Sequence, residues 1–199
     1  MLDSSVRKHL DQPLDRLGAA LESAGITPNQ MTGFGLLIGI GACVLVASGR
    51  WYLGLGMWLL NRLVDGLDGP LARRVGPTEL GGFYDIMADF AIYGGIVVAI
   101  GWHVPDARIA ALVVFVAYYL NGAGFLAWSS IAERLERDSG ARTFHFPKSL
   151  AEGTETIVVM SVILLLEPWA PELLWVWAAM VAISVVQRVV YVRRALTNS

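Results

Sequence analysis

Four aspartates in two pairs are the residues of this sequence best suited to chemistry. Asp65 and Asp68 are three positions apart, and Asp85 and Asp89 are four apart. On an α-helix these spacings place each pair on one face, so its two carboxylates point in the same direction. Apolar sequence flanks both pairs, and unpaired carboxylates are costly there. Two divalent ions would neutralise them, and all-oxygen ligands favour Mg²⁺, Mn²⁺ or Ca²⁺. The pattern predicts a two-metal site that binds a phosphoryl group during displacement.

A polar turn is the alternative interpretation of the first pair. Asp-Gly dipeptides are frequent in turns, so the DGLDG segment at 65–69 could join two helices without binding a metal. A turn does not explain Asp85 and Asp89, because they lie in a helix-permissive segment that continues into apolar sequence. For the four residues together, the metal site is the better interpretation.

The composition indicates an integral membrane protein. Hydrophobic residues make up 55% of the 199 residues and charged residues 16%, a balance typical of chains that reside in a bilayer. A helix needs about 20 residues to cross about 30 Å of hydrocarbon. Six apolar stretches approach this length, at 31–48, 51–70, 82–101, 108–128, 149–166 and 169–191. We therefore expect an all-α integral membrane protein with six transmembrane helices.

An N-terminal amphipathic helix is expected ahead of the first span. Between residues 3 and 24, apolar side chains recur every three or four positions while charged side chains occupy the other faces. This pattern is typical of an interfacial helix that lies on the membrane surface. We therefore divide the chain into an amphipathic juxtamembrane segment, 1–30, and a six-helix membrane catalytic domain, 31–199.

The distribution of cationic residues predicts the orientation in the membrane. Arg50 and Arg108 lie on one side of the predicted domain. The other thirteen of the fifteen Lys and Arg residues lie at the N-terminus, around 62–74, across 134–148 and from 188 onward. The positive-inside rule then puts both termini and the aspartate site on the cytoplasmic side. We expect the membrane to be a bacterial or archaeal cytoplasmic membrane.

The spacing of the aspartates resembles the signature of the CDP-alcohol phosphotransferase, or phosphatidyltransferase, family. All eight positions of that signature are present: Asp65, Asp68, Gly69, Ala72, Arg73, Gly81, Asp85 and Asp89. The resemblance implies transfer of a phosphatidyl group from a CDP-linked lipid such as CDP-diacylglycerol to the hydroxyl of an acceptor alcohol, with release of CMP. It also implies two Mg²⁺ or Mn²⁺ ions and a homodimer, for which Gly94, Gly95 and Gly122 permit close helix contacts. No nucleic-acid partner is expected.

The resemblance also implies roles for individual residues. Asp65, Asp68 and Asp85 would be the principal metal ligands, and Asp89 would be the general base and could hold one metal. The residues that it implies for nucleotide binding are Asn29, Asp68, Gly69, Ala72, Arg73 and Thr78. For Asn29 and Thr78 a role in helix capping is an open alternative.

A second polar cluster lies where the fifth predicted span begins. Lys148, Glu152 and Glu155 would share one helix face, and Arg142 approaches the membrane from the preceding loop. Acidic residues at the start of a span need partners, so this face could line the aspartate cavity. The resemblance implies that the acceptor binds in this region. A structural salt bridge between Lys148 and Glu152 is an equally good explanation.

Two other functional classes are open. One is a non-enzymatic channel or lipid-binding membrane protein, in which the aspartates would bind ions without chemistry, and the complete motif argues against it. The other is a UbiA-like prenyltransferase. It is also a helical membrane enzyme that depends on Asp-bound Mg²⁺. That fold needs a second Asp-rich cluster far downstream, and after Asp89 only Asp106 and Asp138 remain, isolated from each other. The sequence therefore favours the phosphatidyltransferase.

Overall fold

The computed structural model describes residues 15–139 and 150–197, and every regular element in these ranges is helical. The first helix, α1, covers residues 15–23 of the described chain. The others are α2 (Pro28–Ala47), α3 (Trp51–Val75), α4 (Glu79–His103), α5 (Arg108–Ser139), α6 (Gly153–Leu165) and α7 (Ala170–Thr197). Single 3-10 turns precede α5 and α7. The all-α class predicted from the sequence is confirmed.

Local sequence explains where the helices around the aspartates begin and end. Thr27 and Gln30 form a capping box at the start of α2, in which each side chain accepts a hydrogen bond from the other residue's backbone N–H. Thr78 caps α4 by accepting a hydrogen bond from the N–H of Gly81 at 3.1 Å. Gly76 ends α3 with φ 101°, a conformation that L side chains rarely adopt. The predicted capping role of Thr78 is therefore confirmed, whereas Thr27, not Asn29, caps α2.

α2 lies at the centre of the helices that carry the aspartates. It packs against both α3 and α4, while α5 packs against α4 and α7, and α6 packs against α3. The approach to α4 is close, because a Cβ on Gly39 would lie 2.6 Å from the Ile92 side chain. Trp58 of α3 is fully buried and donates its indole N–H to Ser161 of α6 at 3.2 Å. These contacts fix α3 and α4 on either side of α2.

Four segments of the described chain are long and apolar enough to cross a membrane: Pro28–Ala47, Glu79–His103, Pro105–Leu135 and Glu167–Thr197. Large apolar side chains on these helices are exposed, including Leu37, Trp102, Leu112 and Val186. Such a surface is unfavourable in water and suits contact with lipid. The chain is therefore an integral membrane protein, as predicted.

The other two predicted spans differ from the four in length or polarity. α3 has 25 residues, but from its middle onward it carries polar side chains, namely Asn61, Arg62 and the first aspartate pair. α6 has only 13 residues, and at about 1.5 Å per residue it is about 20 Å long. A hydrocarbon core is about 30 Å thick. Six spans therefore remain a prediction. The fifth predicted span, 149–166, corresponds to α6, which is shorter than its apolar run indicated.

The described part of the predicted amphipathic helix packs on the end of α3. Leu21 contacts the apolar cluster that α2 and α3 form, and a Cβ on Gly18 would lie 3.4 Å from Pro70. Arg74 of α3 donates a 2.7 Å hydrogen bond to Glu22 and lies 3.6 Å from Asp15. The preceding part of this helix lies outside the described residues. Its interfacial position stays a prediction.

Candidate active site

Three of the four aspartates converge between α3 and α4. Asp65 and Asp68 lie one turn apart on α3, and Asp85 lies on α4. One carboxylate oxygen from each of them lies within 4.8 Å of the other two. α2 contributes Thr32, whose hydroxyl donates to Oδ2 of Asp68 at 3.3 Å. The two pairs are therefore helical, as the metal-site interpretation required, and the polar turn at 65–69 is wrong because α3 continues through it.

Asp89, one turn further along α4, meets a buried cation. Nη1 of Arg62 donates to Oδ1 of Asp89 at 2.7 Å and lies 3.6 Å from Oδ2 of Asp65. The Arg62 side chain is only 4% exposed. Because water screens a buried pair poorly, this contact is stronger than an exposed pair of the same geometry. Arg62 thus offsets one of the four negative charges that the aspartates carry when ionised.

The remaining negative charge fits a divalent metal ion. Three convergent carboxylates repel one another unless they are protonated or a cation lies among them. Their oxygens form the donor set that Mg²⁺ and Mn²⁺ prefer over the nitrogen and sulfur ligands typical of zinc. The group of Asp65, Asp68 and Asp85 could therefore hold such an ion.

A cavity of about 450 Å³ opens on one side of this group. We call it the loop cavity, because it lies between the start of α2, the end of α3, the connection at 76–78 and the start of α4. Five of the residues predicted to bind the nucleotide line it: Asn29, Asp68, Gly69, Ala72 and Thr78. The sixth, Arg73, is exposed, and its Nη1 lies 3.7 Å from the position that a Cβ on Gly69 would take.

A larger cavity of about 670 Å³ opens on the other side, between α4, α5, the start of α6 and α7. We call it the aromatic cavity after the rings that line it: Phe90, Tyr93, Phe115, Tyr118, Tyr119 and Phe125. Its polar lining includes Asp89, Asn121, Glu152, Thr156 and Arg188. Asp85 lines both cavities. The carboxylates therefore lie at the junction of two spaces of different character.

The residues predicted to contact the acceptor have different outcomes. Glu152 precedes the first residue of α6 and lines the aromatic cavity. Glu155 lies in the first turn of α6 and is not one of the described residues that line this cavity. Arg142 and Lys148 lie outside the described residues.

Two buried arginines at the site were not assigned a role from the sequence. Besides Arg62, Arg188 of α7 is 8% exposed and faces the aromatic cavity. Its Nε donates to Oδ1 of Asn121 at 3.3 Å, and its guanidinium lies 5.5 Å from the centre of the Phe125 ring. The signal that could have identified both residues is a cation within an apolar helix, which is costly unless it has a partner or a function.

Comparison with known proteins decides the family. Residues 25–191 match CDP-alcohol phosphatidyltransferase. The chain belongs to this family. It is 36% identical to the inner membrane protein YnjF of Escherichia coli (strain K12), over 85% of this chain and 84% of that protein. It is 38% identical to archaetidylinositol phosphate synthase of Pyrococcus horikoshii, over 67% of this chain and 77% of that protein.

A solved structure shares the arrangement of the helices. Phosphatidylinositol phosphate synthase (PgsA1) of Mycobacterium tuberculosis, in complex with manganese and citrate, superimposes with a TM-score of 0.68 at 26% sequence identity. The superposition covers 88% of this chain and 87% of that chain.

Family membership confirms the predicted reaction. The protein is a phosphatidyltransferase of phospholipid synthesis that takes its phosphatidyl group from a CDP-linked lipid and passes it to an alcohol. This result decides against the UbiA-like prenyltransferase.

Proposed function

We propose that the transfer takes place where the two cavities meet, with the nucleotide of the CDP-linked lipid in the loop cavity and the acceptor alcohol in the aromatic cavity. The observation that carries this proposal is the position of Asp85, which lines both cavities beside the other two clustered carboxylates. The hydroxyl and the pyrophosphate must meet at one phosphorus atom, and the junction is where groups from both cavities can approach each other.

We assign Asp65, Asp68 and Asp85 as the principal ligands of two Mg²⁺ or Mn²⁺ ions, with Asp89 as a further ligand of one ion. The carboxylate cluster supports this assignment, and the related PgsA1 has been crystallised with manganese. When bound, the ions would neutralise the pyrophosphate and polarise the phosphorus under attack. The protein's own part is to hold the carboxylates in place, through Thr32 at Asp68 and Arg62 at Asp89.

Asp89 is the proposed general base. It lines the aromatic cavity, so a hydroxyl bound there can transfer its proton to this carboxylate. The hydroxyl oxygen then forms a bond to the β-phosphorus while the bond from that phosphorus to the CMP oxygen breaks. CMP leaves through the loop cavity. The products are a phosphodiester-linked lipid and CMP, with no covalent enzyme intermediate.

The loop cavity offers several groups to the cytidine nucleotide. Gly69 and Ala72 leave room for a ligand close to the helix backbone. The exposed guanidinium of Arg73 can pair with a phosphate. Thr78 accepts the capping hydrogen bond from Gly81, and its O–H can still donate to a phosphate oxygen. Asn29 completes the proposed set from the first turn of α2.

The lining of the aromatic cavity favours a phosphorylated polyol as the acceptor. Arg188 supplies a buried cation for a phosphate, while Asn121 and Glu152 supply groups that can bind hydroxyls. The relative from Pyrococcus horikoshii is named an archaetidylinositol phosphate synthase, which agrees with an acceptor of this class. Arg142 and Lys148 remain predicted contributors to this acceptor site. Glu155 is the weakest of the predicted acceptor residues.

We further propose that α3 and α6 complete six spans, with the site and both termini on the cytoplasmic side. The polar side chains near the middle of α3 are compatible with a span because Asn61 and Arg62 are buried in protein. The division into a 1–30 segment and a 31–199 catalytic domain also stays a proposal. The homodimer does too, but Gly94 and Gly122 approach Phe115 and Phe90 of the same chain and so do not support it. The mass in nanodiscs tests the dimer.

The proposed function is tested by CMP release from the full chain in liposomes. We expect release only when a CDP-linked lipid, a divalent ion and an acceptor are all present, and fastest with a polyol phosphate such as inositol phosphate. The panel includes inositol, glycerol phosphate and serine as competing acceptors, with Asp85→Asn as the inactive control. A folded wild type that releases no CMP with any combination would contradict the transferase, and a preference for an uncharged acceptor would contradict the role of Arg188.

A further inference from the structure

Arg62 is a buried cation at the catalytic centre that contacts Asp89 and is given no direct contact with substrate in the proposed reaction. It lies on α3, one turn before Asp65, and its guanidinium is enclosed by two aromatic rings. Its Cζ lies 5.1 Å from the centre of the Trp58 ring and 4.7 Å from the centre of the Tyr93 ring. Both contacts have the distance of a cation–π interaction. A charge enclosed in this way cannot turn toward water.

Each nitrogen of this guanidinium donates a hydrogen bond. Nε and Nη2 donate to Oδ1 of Asn61 at 2.8 and 2.6 Å. Nη1 donates to Oδ1 of Asp89 at 2.7 Å and to the hydroxyl of Tyr93 at 2.8 Å. The forked guanidinium is therefore hydrogen-bonded to α3 on one side and to α4 on the other. A planar group held on both sides has little freedom to follow a moving carboxylate.

The hydrogen bonds on the α3 side of the guanidinium continue through Asn61 to α2. Asn61 is 2% exposed, and its side-chain amide donates to the backbone carbonyl of Gly35 at 2.8 Å. A Cβ on Gly39, one turn along α2, would lie 3.1 Å from the same amide nitrogen, so this stretch of α2 fits closely around Asn61. The path from the α2 backbone through Asn61 and Arg62 ends on a single oxygen of Asp89.

We propose that Arg62 is a positioning residue that holds Oδ1 of Asp89 and so presents Oδ2 to the hydroxyl of the acceptor. The proposal rests on the proposed function, because it takes Asp89 as the base. Oδ2 carries no hydrogen bond from the residues that the structure describes, while Oδ1 is held by Arg62. Asp89 belongs to the aromatic cavity, where the acceptor hydroxyl must arrive.

Arg62 should favour the transfer but disfavour metal binding, because it is a cation beside two carboxylates of the site. Its Nη1 lies 2.7 Å from one carboxylate and 3.6 Å from Oδ2 of Asp65, so its charge weakens the field that attracts a cation. Removing the charge must therefore strengthen divalent-ion binding, while releasing Asp89 must slow the transfer. A residue that only stabilises the fold would not move these two quantities in opposite directions.

The test compares Arg62→Gln and Arg62→Lys with wild type, using the full chain in nanodiscs. Mn²⁺ binding is titrated without any substrate by electron paramagnetic resonance, and kcat is measured by CMP release. Arg74→Gln is the matched control, because it removes an exposed guanidinium from the same helix, where Arg74 pairs with Glu22. We expect the control to bind Mn²⁺ and to turn over as the wild type does.

Arg62→Gln should bind Mn²⁺ about tenfold more tightly, because a unit charge beside two ligands is gone. Its kcat should fall roughly 100-fold, the loss expected for a reacting group displaced by about 1 Å. Arg62→Lys keeps the charge, so its Mn²⁺ affinity should stay within about threefold of wild type while kcat still falls, because an ammonium cannot reproduce the fork.

An unchanged kcat in Arg62→Lys would overturn the proposal. So would weaker or unchanged Mn²⁺ binding in a folded Arg62→Gln. If Arg62→Gln does not fold, Arg62→Lys alone is decisive: a lower kcat at near-native Mn²⁺ affinity supports the proposal, and an unchanged kcat overturns it. A wild type that binds Mn²⁺ but releases no CMP overturns the proposed reaction alone, since the Mn²⁺ titration still measures the effect of Arg62. A wild type that binds no Mn²⁺ overturns both.

Discussion

Asp89→Asn separates the proposed base from the proposed metal ligands. The substitution preserves size and one acceptor oxygen but removes the basicity needed to take a proton. Asp89 is the one aspartate of the four outside the three-carboxylate group. Of the four, only Asp85 and Asp89 line the aromatic cavity. Its loss should therefore affect turnover far more than the binding of the CDP-linked lipid.

The magnitude of this effect follows from the role and the contacts of Asp89. General-base catalysis contributes about 10²–10⁴-fold, so kcat should fall by that factor, equivalent to about 3–5 kcal/mol of transition-state stabilisation. The fold should change less. An Asn side-chain oxygen can still accept the hydrogen bond from Arg62, which also keeps Asp65 at 3.6 Å. We expect the free energy of unfolding to fall by about 1–2 kcal/mol, less than the roughly 3–5 kcal/mol of an uncompensated buried charge.

The assay pairs CMP release with titration of CDP-linked lipid into each purified variant. Asp68→Asn is the comparison, because Asp68 belongs to the three-carboxylate group and lines the loop cavity. It should weaken the binding of metal and CDP-linked lipid together by roughly tenfold or more, since even outer-shell partners of a metal contribute that much. Near-native turnover in Asp89→Asn would refute the assignment of the base.

Three further outcomes are expected. Excess EDTA should abolish CMP release and added Mg²⁺ or Mn²⁺ should restore it, because the clustered carboxylates need cations; full turnover in EDTA would rule out the metal site. Gly81→Ala should raise the KM for the CDP-linked lipid roughly threefold or more, because its Cβ would lie 3.0 Å from two side-chain oxygens that line the loop cavity. Gly82→Ala meets no atom within 4 Å and is the control; equal KM values would contradict the steric cause. Gly54→Ala should lower the free energy of unfolding by about 1–3 kcal/mol relative to the Gly56→Ala control, because its Cβ would lie 2.5 Å from the buried Val46 side chain and 3.3 Å from the backbone carbonyl oxygen of Ala42. Chemical denaturation beside Gly56→Ala, which has open space, measures this loss.

The sequence was sufficient for features that depend on neighbours along the chain. Spacings of three and four set each aspartate pair on one helix face whatever surrounds the helix. The Thr78 cap depends on a hydrogen bond to a residue three positions away, so local sequence predicts it. The length and hydropathy of apolar runs also depend only on local sequence, and they predicted the membrane location and four of the spans. The predicted fifth span was too long, because an apolar run does not show where a helix begins.

Only the tertiary structure decided which groups meet at the site. Arg62 and Asp89 are 27 positions apart, and Arg188 and Asn121 are 67 apart. Such contacts depend on how helices pack, and the identity of one residue does not show which helix it will face. The same packing places Gly94 and Gly122 against phenylalanine rings of their own chain. It also places Glu152 in the lining of the aromatic cavity, whereas Glu155 is not among the described residues that line it. The spacing of the aspartates indicates the chemistry, whereas the packing of α2 between α3 and α4 brings its groups together.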